Sequence, residues 1–370
     1  MPVFNEAPVR VQPYFGYRNQ ERLVMSARAL RSGKANFSRG GRWQAMRTML
    51  SQFASREVGG LQVTLEVQDS DGEKTHHFGQ TDNEGFVHFD VAMADCALPS
   101  DPMWDVVALH WTDEDGEQCV EGHVLAPGKR TKLAVISDID DTIIETGITG
   151  SFRAIIRNWR RVLAEMPEER LHVPGVDAFY SSLGGGTVLQ DSDGMGKAVP
   201  TLSERPFFYV SSSPWNLFSY LVAFKKTRGL PLGPIMLRDW GFDRETLGSS
   251  SHGAHKRKAI DAILNTYPDM RFTLIGDDSQ GDLTAYGDVV ADHPGRIAAV
   301  FIRTVGTDFS PEEIAAKALI GANGVPLWLG DDYKTGEAFL KATGLASDKE
   351  AKQIVTTIDK AHPNDQEAVS

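Results

Sequence analysis

The chain has 370 residues, 41% of them hydrophobic and 24% charged, which is typical of a soluble globular protein with about two domains. It contains no run of about 18 apolar residues and begins without a signal-peptide core, so it predicts neither a membrane span nor secretion, and we expect a cytoplasmic protein. The net charge of −12 argues against nucleic acid as a partner. The two cysteines, Cys96 and Cys119, are expected to be reduced packing residues.

A basic segment from Arg10 to Arg56 contrasts with the acidic remainder of the chain. It holds ten Lys or Arg residues and one acid, Glu21, so it contributes +9 and the rest of the chain carries about −21. One interpretation is peripheral contact with an anionic membrane surface. The other is that the segment neutralises acidic groups of the same molecule.

Residues 1–131 are predicted to form an antiparallel β-sandwich domain. Alternating apolar residues mark a strand with one buried face, at Leu61, Val63, Leu65 and Val67. Further strands are predicted at 86–91, 106–111 and 119–125, separated by turns rich in Gly and Asp. One helix is predicted at residues 43–53.

Residues 132–345 are predicted to form a parallel sheet that is covered by helices on both faces. Apolar runs alternate with helical patterns, at 133–136, 207–210, 235–237, 272–275 and 298–302. Ligands of such sheets bind beyond the carboxyl ends of the strands. Residues 184–205 are predicted to be a mobile loop, and residues 346–370 a polar helix with a frayed tail.

Three carboxylates follow the first strand of this sheet, at Asp138, Asp140 and Asp141. Because like charges at this spacing repel one another, a divalent cation or a catalytic role is the usual compensation. Asp138 is placed to attack phosphorus and form an acyl-phosphate, and Asp140 to act as general acid and base. Asp141 is given a local structural role, and Thr142 could hold the turn.

Three further polar groups follow strands or begin helices of the same region. Ser211 is the first polar residue after its strand, with Ser213 a candidate helix N-cap and Pro214 at the first helical position. Such a hydroxyl at a helix start suits a phosphate. Lys256 shares a helix face with Ile260 and Ile263, whereas Lys258 lies on a more polar face.

A second strand ends in the carboxylates Asp277 and Asp282. Two carboxylate-tipped strands side by side would form an oxygen-ligand site suited to Mg²⁺. The predicted ligands are therefore Asp138 and Asp140 from one strand end, and Asp277 and Asp282 from the other, with Asp282 binding directly or through water.

The order of these motifs resembles the haloacid dehalogenase-like phosphatase superfamily over about residues 133–305. The resemblance implies a Rossmann-like parallel sheet with a small or absent cap. It also implies that Asp138 is the nucleophile, Asp140 the acid and base, Ser211 and Lys256 the phosphate-binding pair, and Asp277 a Mg²⁺ ligand.

A narrower resemblance is carried by the segments SDIDDTI, PGVDAFYSSL, FFYVSSSPWNLF, GPIMLRDWG, HKRKAI and LIGDDSQGD. They are similar to the actin-patch-type phosphatidate phosphatase family, whose bacterial members carry an N-terminal β-domain. The resemblance implies Mg²⁺-dependent removal of phosphate from phosphatidate to give diacylglycerol. Further candidates for contact with substrate are Thr142, Ser212 and Arg238.

Three other functions remain open at this point. The same residues could hydrolyse a soluble phosphomonoester, since a fold does not choose its substrate. The chain could be a non-catalytic binding protein, although every expected catalytic position is filled. Asp-x-Asp-Asp-Thr also resembles the acid motif of terpene cyclases, but those enzymes are all-helical and this chain alternates strands with helices.

Overall fold

The structure is a computed structural model, and it describes residues 7–31, 56–68, 72–93, 96–139, 175–188, 202–238, 250–278, 281–304 and 309–346. Several sequence predictions fall outside these residues. They are the helix at 43–53, the three positions Asp140, Asp141 and Thr142, the region of the expected small or absent cap at 140–174, and nearly all of the tail after residue 345.

The strands of the N-terminal part, within the described ranges, are β1 Val9–Pro13, β2 Gly16–Arg18, β3 Arg22–Arg31, β4 Arg56–Glu57, β5 Gln62–Gln68, β6 Lys74–Gln80, β7 Phe86–Ala92, β8 Met103–Asp113 and β9 Gly116–Ala126. They follow the order β1-β3-β2-β9-β8-β5-β6, with β4 and β7 also paired to β3. The predicted strands are present and their pairing is mostly antiparallel. The sandwich prediction needs correction, because the strands form one hydrogen-bonded sheet and β2 runs parallel to β9.

This sheet encloses its own core by curling β6 against β7. The alternating residues Val63, Leu65 and Val67 of β5 are buried in that core, as their period of two predicts. Gly79 of β6 marks the closest approach, since a Cβ atom there would lie 2.6 Å from Cγ2 of Val87 on β7. Glycine suits this position because any larger side chain would collide with β7.

The second part of the chain alternates strands and helices: β10 Leu133–Asp138, α1 Val176–Gly184, β11 Thr187–Val188, β12 Leu202–Ser203, β13 Phe207–Pro214, α2 Phe218–Thr227, β14 Ile235–Arg238, α3 Ser250–Thr266, β15 Arg271–Asp277, α4 Asp282–Asp292, β16 Ile297–Arg303, α5 Pro311–Ala322, β17 Leu327–Gly330 and α6 Tyr333–Ala342. Six of these strands form a parallel sheet in the order β14-β13-β10-β15-β16-β17. The strand order reverses at β10, and ligands of doubly wound sheets bind at such a point.

Both faces of the parallel sheet are covered, as the continuous apolar runs predict. Ile136 and Leu274 face one core, and Val135 and Ile275 face the other. Strand β17 was not predicted, because it has four residues and only Trp328 among them is fully buried. A run that short carries little periodicity.

The predicted mobile loop at 184–205 is partly ordered by pairing at its two ends. Strands β11 and β12 are antiparallel, with Thr187 opposite Ser203 and Val188 opposite Leu202. The loop prediction is therefore wrong at these ends, because backbone hydrogen bonds there are satisfied by a two-stranded sheet. Residues 189–201 lie outside the described part of the chain.

The two parts of the chain share an extensive interface that joins their cores. The Tyr267 hydroxyl, from the parallel-sheet part, donates to the carbonyl oxygen of Arg18 at 3.1 Å. In the other direction, the side-chain amide of Asn19 donates to the carbonyl oxygen of Thr266 at 2.9 Å. Trp104 from β8 belongs to the same buried cluster as Phe208 from β13. The N-terminal β-domain therefore packs directly against the part of the chain that contains the parallel sheet.

Described arginines of the basic segment pair with acids of the same domain. Within the ranges that the structure covers, the pairs are Arg18 with Asp105, Arg22 with Asp90, Arg28 with Glu57 and Arg31 with Glu114. These pairs favour the interpretation that the segment neutralises charge within the molecule, for the residues concerned. In the same described part, no helix is long and apolar enough to cross a membrane.

Cys96 and Cys119 do not form a disulfide. The side chain of Cys96 is buried, whereas that of Cys119 is exposed on β9. The prediction of a packing role is therefore wrong for Cys119, whose side chain points away from the enclosed core.

Candidate active site

Asp138 is the last residue of the central strand β10, and its side chain is completely buried. The residue before it anchors the strand end. The Ser137 hydroxyl donates to the carbonyl oxygen of Asp138 at 2.6 Å. Its single proton is then engaged, so the Tyr180 hydroxyl of α1 donates to Ser137 Oγ, also at 2.6 Å. Burial raises the pKa of Tyr180 well above its ordinary value, which keeps this donor protonated.

Asp277 and Asp282 reach the same point from the neighbouring strand and the helix after it. Strand β15 pairs with β10, with Ser137 opposite Ile275, and Asp277 is its last residue. Asp282 begins α4 and accepts a hydrogen bond from the backbone N–H of Asp277 at 3.3 Å. Both carboxylates are completely buried.

Gly276 makes the close approach of Asp282 to β15 feasible. A Cβ atom on Gly276 would lie 2.5 Å from Asp282 Oδ2 and 2.8 Å from Asp282 Cβ. Both atoms belong to a short side chain that is packed in the core, so they have little freedom to move away. The absence of a side chain at residue 276 therefore permits the site.

Lys256 of α3 brings an ammonium group into contact with these acids. Its Nζ lies 2.9 Å from Asp138 Oδ1, and it forms a second ion pair with Asp282. Lys256 is 1% exposed and lies on the buried face with Ile260 and Ile263, whereas Lys258 is exposed. The helical phasing predicts this arrangement.

The protonation of Lys256 is set by two opposing effects. Burial by itself would lower the pKa of Lys256, but the charges of Asp138, Asp282 and Asp277 outweigh it and raise that pKa above the ordinary value. The lysine is therefore a permanent cation at neutral pH. It offsets part of the negative charge of these carboxylates.

The donor set fits a hard divalent cation. Asp138, Asp277 and Asp282 each offer a carboxylate oxygen, and these oxygens all lie within 4.8 Å of one another. Among the described residues, no other group of His, Cys, Asp or Glu meets this condition. Buried carboxylates require compensation by positive charge, and oxygen ligands are those that Mg²⁺ prefers.

The serines follow β13, which lies on the other side of β10. Val210 is opposite Asp138, so Ser211 lies one residue beyond the register of the aspartate. Ser211 Oγ accepts a hydrogen bond from the backbone N–H of Ser213 at 3.0 Å. Ser211, Ser212 and Ser213 are all buried.

The predicted helix start at Ser213 and Pro214 is wrong. Strand β13 continues through Pro214, which is opposite Arg238 on β14. A 3-10 turn at Trp215–Leu217 follows, and α2 begins at Phe218 with Leu217 as N-cap and no side-chain capping bond. The Ser213 N–H bonds to Ser211 instead, so the serine segment is extended rather than helical.

The remaining candidates are Asp140, Thr142 and Arg238. Asp140 and Thr142 follow Asp138 but lie outside the described residues, as does the side chain of Arg238. Arg238 ends β14, which is separated from β10 by β13. The structure therefore brings together Asp138, Asp277, Asp282 and Lys256, with Ser211 and Ser212 on the adjacent strand.

Tyr180, Tyr286 and Gly276 shape the site and were not predicted from the sequence. Tyr180 bonds to a serine 43 positions away, and no local pattern predicts that contact. Tyr286 donates to the carbonyl oxygen of Ile275 at 2.9 Å. It lies four residues after Asp282 on the same helix face, so helical spacing could have found it.

One family model matches the part of the chain that contains this site. Residues 133–304 match the family model described as phosphatidate phosphatase APP1, catalytic domain. The match supports an APP1-type family assignment. The match begins at the first residue of β10. It includes the candidate site residues Asp138, Ser211, Ser212, Lys256, Asp277 and Asp282.

Two curated relatives are similar to this chain. The chain is 28% identical over 263 residues to phosphatidate phosphatase APP1 of Saccharomyces cerevisiae, which covers 70% of this chain and 40% of the yeast protein. It is 29% identical over 181 residues to an uncharacterized protein of Schizosaccharomyces pombe, which covers 49% of this chain and 26% of that protein. The chain thus matches less than half the length of either relative.

Among solved structures, the β-glucuronidase of Parabacteroides merdae has a TM-score of 0.28 and 7% sequence identity to this chain, covering 87% of this chain and 40% of the other. A similarity at that TM-score carries no argument about fold or function.

Proposed function

We propose that this chain is a phosphoric monoester hydrolase of the haloacid dehalogenase-like type, acting on phosphatidate to release phosphate and leave diacylglycerol. The observation that carries the proposal is the buried contact of Lys256 with Asp138 at the carboxyl end of β10, beside Asp277 and Asp282. The similarity to the APP1 catalytic domain supports phosphatidate as the substrate.

In the proposed reaction, a carboxylate oxygen of Asp138 attacks phosphorus while the bond from phosphorus to the glycerol oxygen breaks. Asp140 donates a proton to that leaving oxygen. Asp140 then takes a proton from water, whose oxygen attacks the aspartyl-phosphate and releases inorganic phosphate with Asp138 restored. Dividing one displacement into two lowers the barrier of each.

Lys256 has two tasks in this scheme. In the resting site its ammonium stabilises the ionised form of Asp138, which is the form that can attack. As charge develops on the transferring phosphoryl group, the same ammonium is close enough to stabilise that charge. The hydroxyls of Ser211 and Ser212 are proposed to position the phosphoryl oxygens from β13.

The proposed cofactor is Mg²⁺, held by Asp138, Asp277 and Asp282, with Asp140 as a further candidate ligand. When bound, Mg²⁺ supplies positive charge that offsets the repulsion between the aspartate and the phosphate. Peripheral contact with an anionic membrane remains part of the proposal. The described arginine pairs assign several of the basic groups to internal neutralisation instead.

A substrate panel tests the proposal. Phosphate release should be measured with Mg²⁺ from phosphatidate in mixed vesicles and from a series of sugar and nucleotide phosphates. We expect the highest kcat/KM with phosphatidate. Comparable or better turnover of a soluble ester would replace the lipid with that substrate and keep the mechanism. No phosphate release from any ester would overturn the enzymatic assignment.

A further inference from the structure

A buried chain of two hydrogen bonds ends on the backbone of Asp138. The Tyr180 hydroxyl of α1 donates to Ser137 Oγ at 2.6 Å, and the Ser137 hydroxyl donates to the carbonyl oxygen of Asp138, also at 2.6 Å. All three residues are completely buried. These bonds connect a helix to the end of the central strand, although Tyr180 and Ser137 are 43 positions apart in the chain.

Ser137 interrupts an apolar region of the core. Val135 lies two residues before it and Ile139 two residues after it, and both belong to the buried cluster that contains Tyr180. Since alternate residues of a strand project from the same face, an apolar side chain at position 137 would continue the packing of Val135. A neutral hydrogen bond adds only modestly to stability. Residues that depart from a local pattern in this way are often those that serve a function.

The Ser137 hydroxyl adds a restraint where strand β10 loses one of its neighbours. On the β15 side, the pairing of β10 ends with Ser137 opposite Ile275. On the β13 side, it continues to Asp138, which is opposite Val210. The backbone of Asp138 therefore has strand support on one side, and the hydrogen bond from Ser137 restrains the peptide group that follows its side chain.

Aromatic contacts hold the ring of Tyr180 in place. The ring is stacked with that of Phe207 on β13, with centroids 5.4 Å apart, and it meets Tyr333 edge to face at 6.4 Å. Phe207 is in turn opposite Val135 of β10. Because the ring is fixed by packing against the sheet, its hydroxyl presents a donor to Ser137 at a defined position.

The placement of the Asp138 carboxylate is the property that these bonds can control. Asp138 Oδ1 lies 2.9 Å from Lys256 Nζ, and a carboxylate oxygen of Asp138 lies within 4.8 Å of oxygens of Asp277 and Asp282. An attacking group must be aligned closely with the reacting atom, and a displacement of about 1 Å can lower a rate by about 10².

We propose that Ser137 and Tyr180 are positioning residues for Asp138, and that Tyr180 acts through Ser137. The kinetic consequence rests on the proposed function, in which Asp138 is the attacking group. In this proposal neither hydroxyl contacts the substrate or transfers a proton in the reaction. Their effect is to hold the end of β10, so that the carboxylate of Asp138 is aligned before the substrate binds.

Four variants of the full chain test the proposal. They are Tyr180→Phe, Ser137→Ala, the double variant, and Tyr267→Phe as the matched control. Tyr267 is also buried, and its hydroxyl donates to a backbone carbonyl oxygen, that of Arg18, at 3.1 Å. It follows the last residue of α3, whereas Lys256 lies in the first half of that helix.

Three measurements are made on each variant. The first is kcat and KM at saturating Mg²⁺, with the ester that the wild-type chain cleaves best. The second is the affinity for Mg²⁺, measured by calorimetric titration without substrate, since Asp138 is a proposed ligand. The third is thermal melting, which checks that the variant is folded.

Tyr180→Phe should lower kcat about tenfold or more and change KM by less than about twofold, because it displaces the attacking group and removes no contact with substrate. Ser137→Ala should lower kcat at least as much. The double variant should be no slower than Ser137→Ala, since residues that act in series are not additive. Tyr267→Phe should melt at a lower temperature and keep the kcat of the wild type. The affinity for Mg²⁺ should fall in Tyr180→Phe and stay unchanged in Tyr267→Phe.

The proposal is overturned if folded Tyr180→Phe keeps the kcat and the Mg²⁺ affinity of Tyr267→Phe, or if the losses of the two single variants add in the double variant. Either result would leave the proposed function intact. A wild-type chain that hydrolyses no ester contradicts the proposed function, and the Mg²⁺ affinities then decide the positioning role. Weaker binding by Tyr180→Phe supports that role, whereas equal binding, or no binding by the wild type, overturns it.

Discussion

The ammonium group of Lys256 lies 2.9 Å from Asp138 Oδ1, and the two side chains are 1% and 0% exposed. A buried ion pair of this kind contributes little to stability by itself, but removal of one partner leaves a buried charge that is costly. The pair therefore serves to keep an ionised aspartate inside the protein, at the end of the central strand.

Asp138→Asn should lower turnover by at least about 10³, because the amide cannot act as the nucleophile. The measurement is single-turnover phosphate release with the preferred ester. Asp269→Asn, at an exposed position before β15, is the control and should behave like the wild type. Near-normal activity of Asp138→Asn would exclude the aspartyl-phosphate mechanism.

Lys256→Met and Lys258→Met should differ sharply. Lys256→Met removes the buried cation that neighbours three carboxylates. We therefore expect a large loss of turnover and a decrease of about 3–5 kcal/mol in the free energy of unfolding. Lys258 is exposed, and its replacement should change stability by less than about 0.5 kcal/mol. Chemical denaturation and steady-state kinetics check both. Equal effects would show that the two lysines are not distinguished by burial.

Mg²⁺ should raise the melting temperature of the chain and be required for turnover, since binding to the folded state alone stabilises it by mass action. Asp277→Asn should reduce both effects by removing a ligand. Asp288→Asn, exposed on α4, serves as the matched control. If Mg²⁺ left the melting temperature of the wild type unchanged and chelator left its activity intact, the three acids would need another role.

Gly276→Ala should impair the site although it adds a single methyl group. The new Cβ would lie 2.5 Å from Asp282 Oδ2, so Asp282 or β15 must shift. We expect a loss of stability of about 1–3 kcal/mol and reduced turnover. Gly321→Ala on α5 is the control, because no described atom lies within 4 Å of its Cβ, and it should be neutral or slightly stabilising.

Lys225→Met should stabilise the protein near neutral pH. Lys225 is buried in α2, with Nζ 3.4 Å from the centre of the Tyr209 ring and no hydrogen-bond partner among the described residues. Burial lowers the pKa of Lys225 well below 10.5, so between the folded-state pKa and 10.5 the unfolded chain binds more protons than the folded chain does. Stability should therefore rise with pH up to about 10.5.

In Lys225→Met this part of the pH dependence should disappear, with a gain of about 1–3 kcal/mol at neutral pH. Denaturant unfolding at several pH values measures both quantities. Lys226→Met, at the exposed neighbouring position, should leave the pH dependence as it is. A Lys225 variant that is less stable than the wild type at pH 7 would show that the amine is solvated or paired.

The features that depend on local periodicity could be predicted from the amino-acid sequence. Period-two alternation located β5, and continuous apolar runs located β10, β13 and β15. The carboxyl ends of parallel strands lie at one edge of their sheet, so the acids after β10 and β15 were expected to meet. Helical phasing likewise distinguished Lys256 from Lys258, because it is also a local periodicity.

Contacts between elements that are distant in the chain could not be predicted in this way. The contact of Tyr180 with Ser137 and the hydrogen bond of Tyr267 to Arg18 both join residues far apart in the chain. The extension of β13 through Pro214 also depends on its neighbour β14. Strand order and packing between sheets set these contacts, and a local pattern does not contain that information.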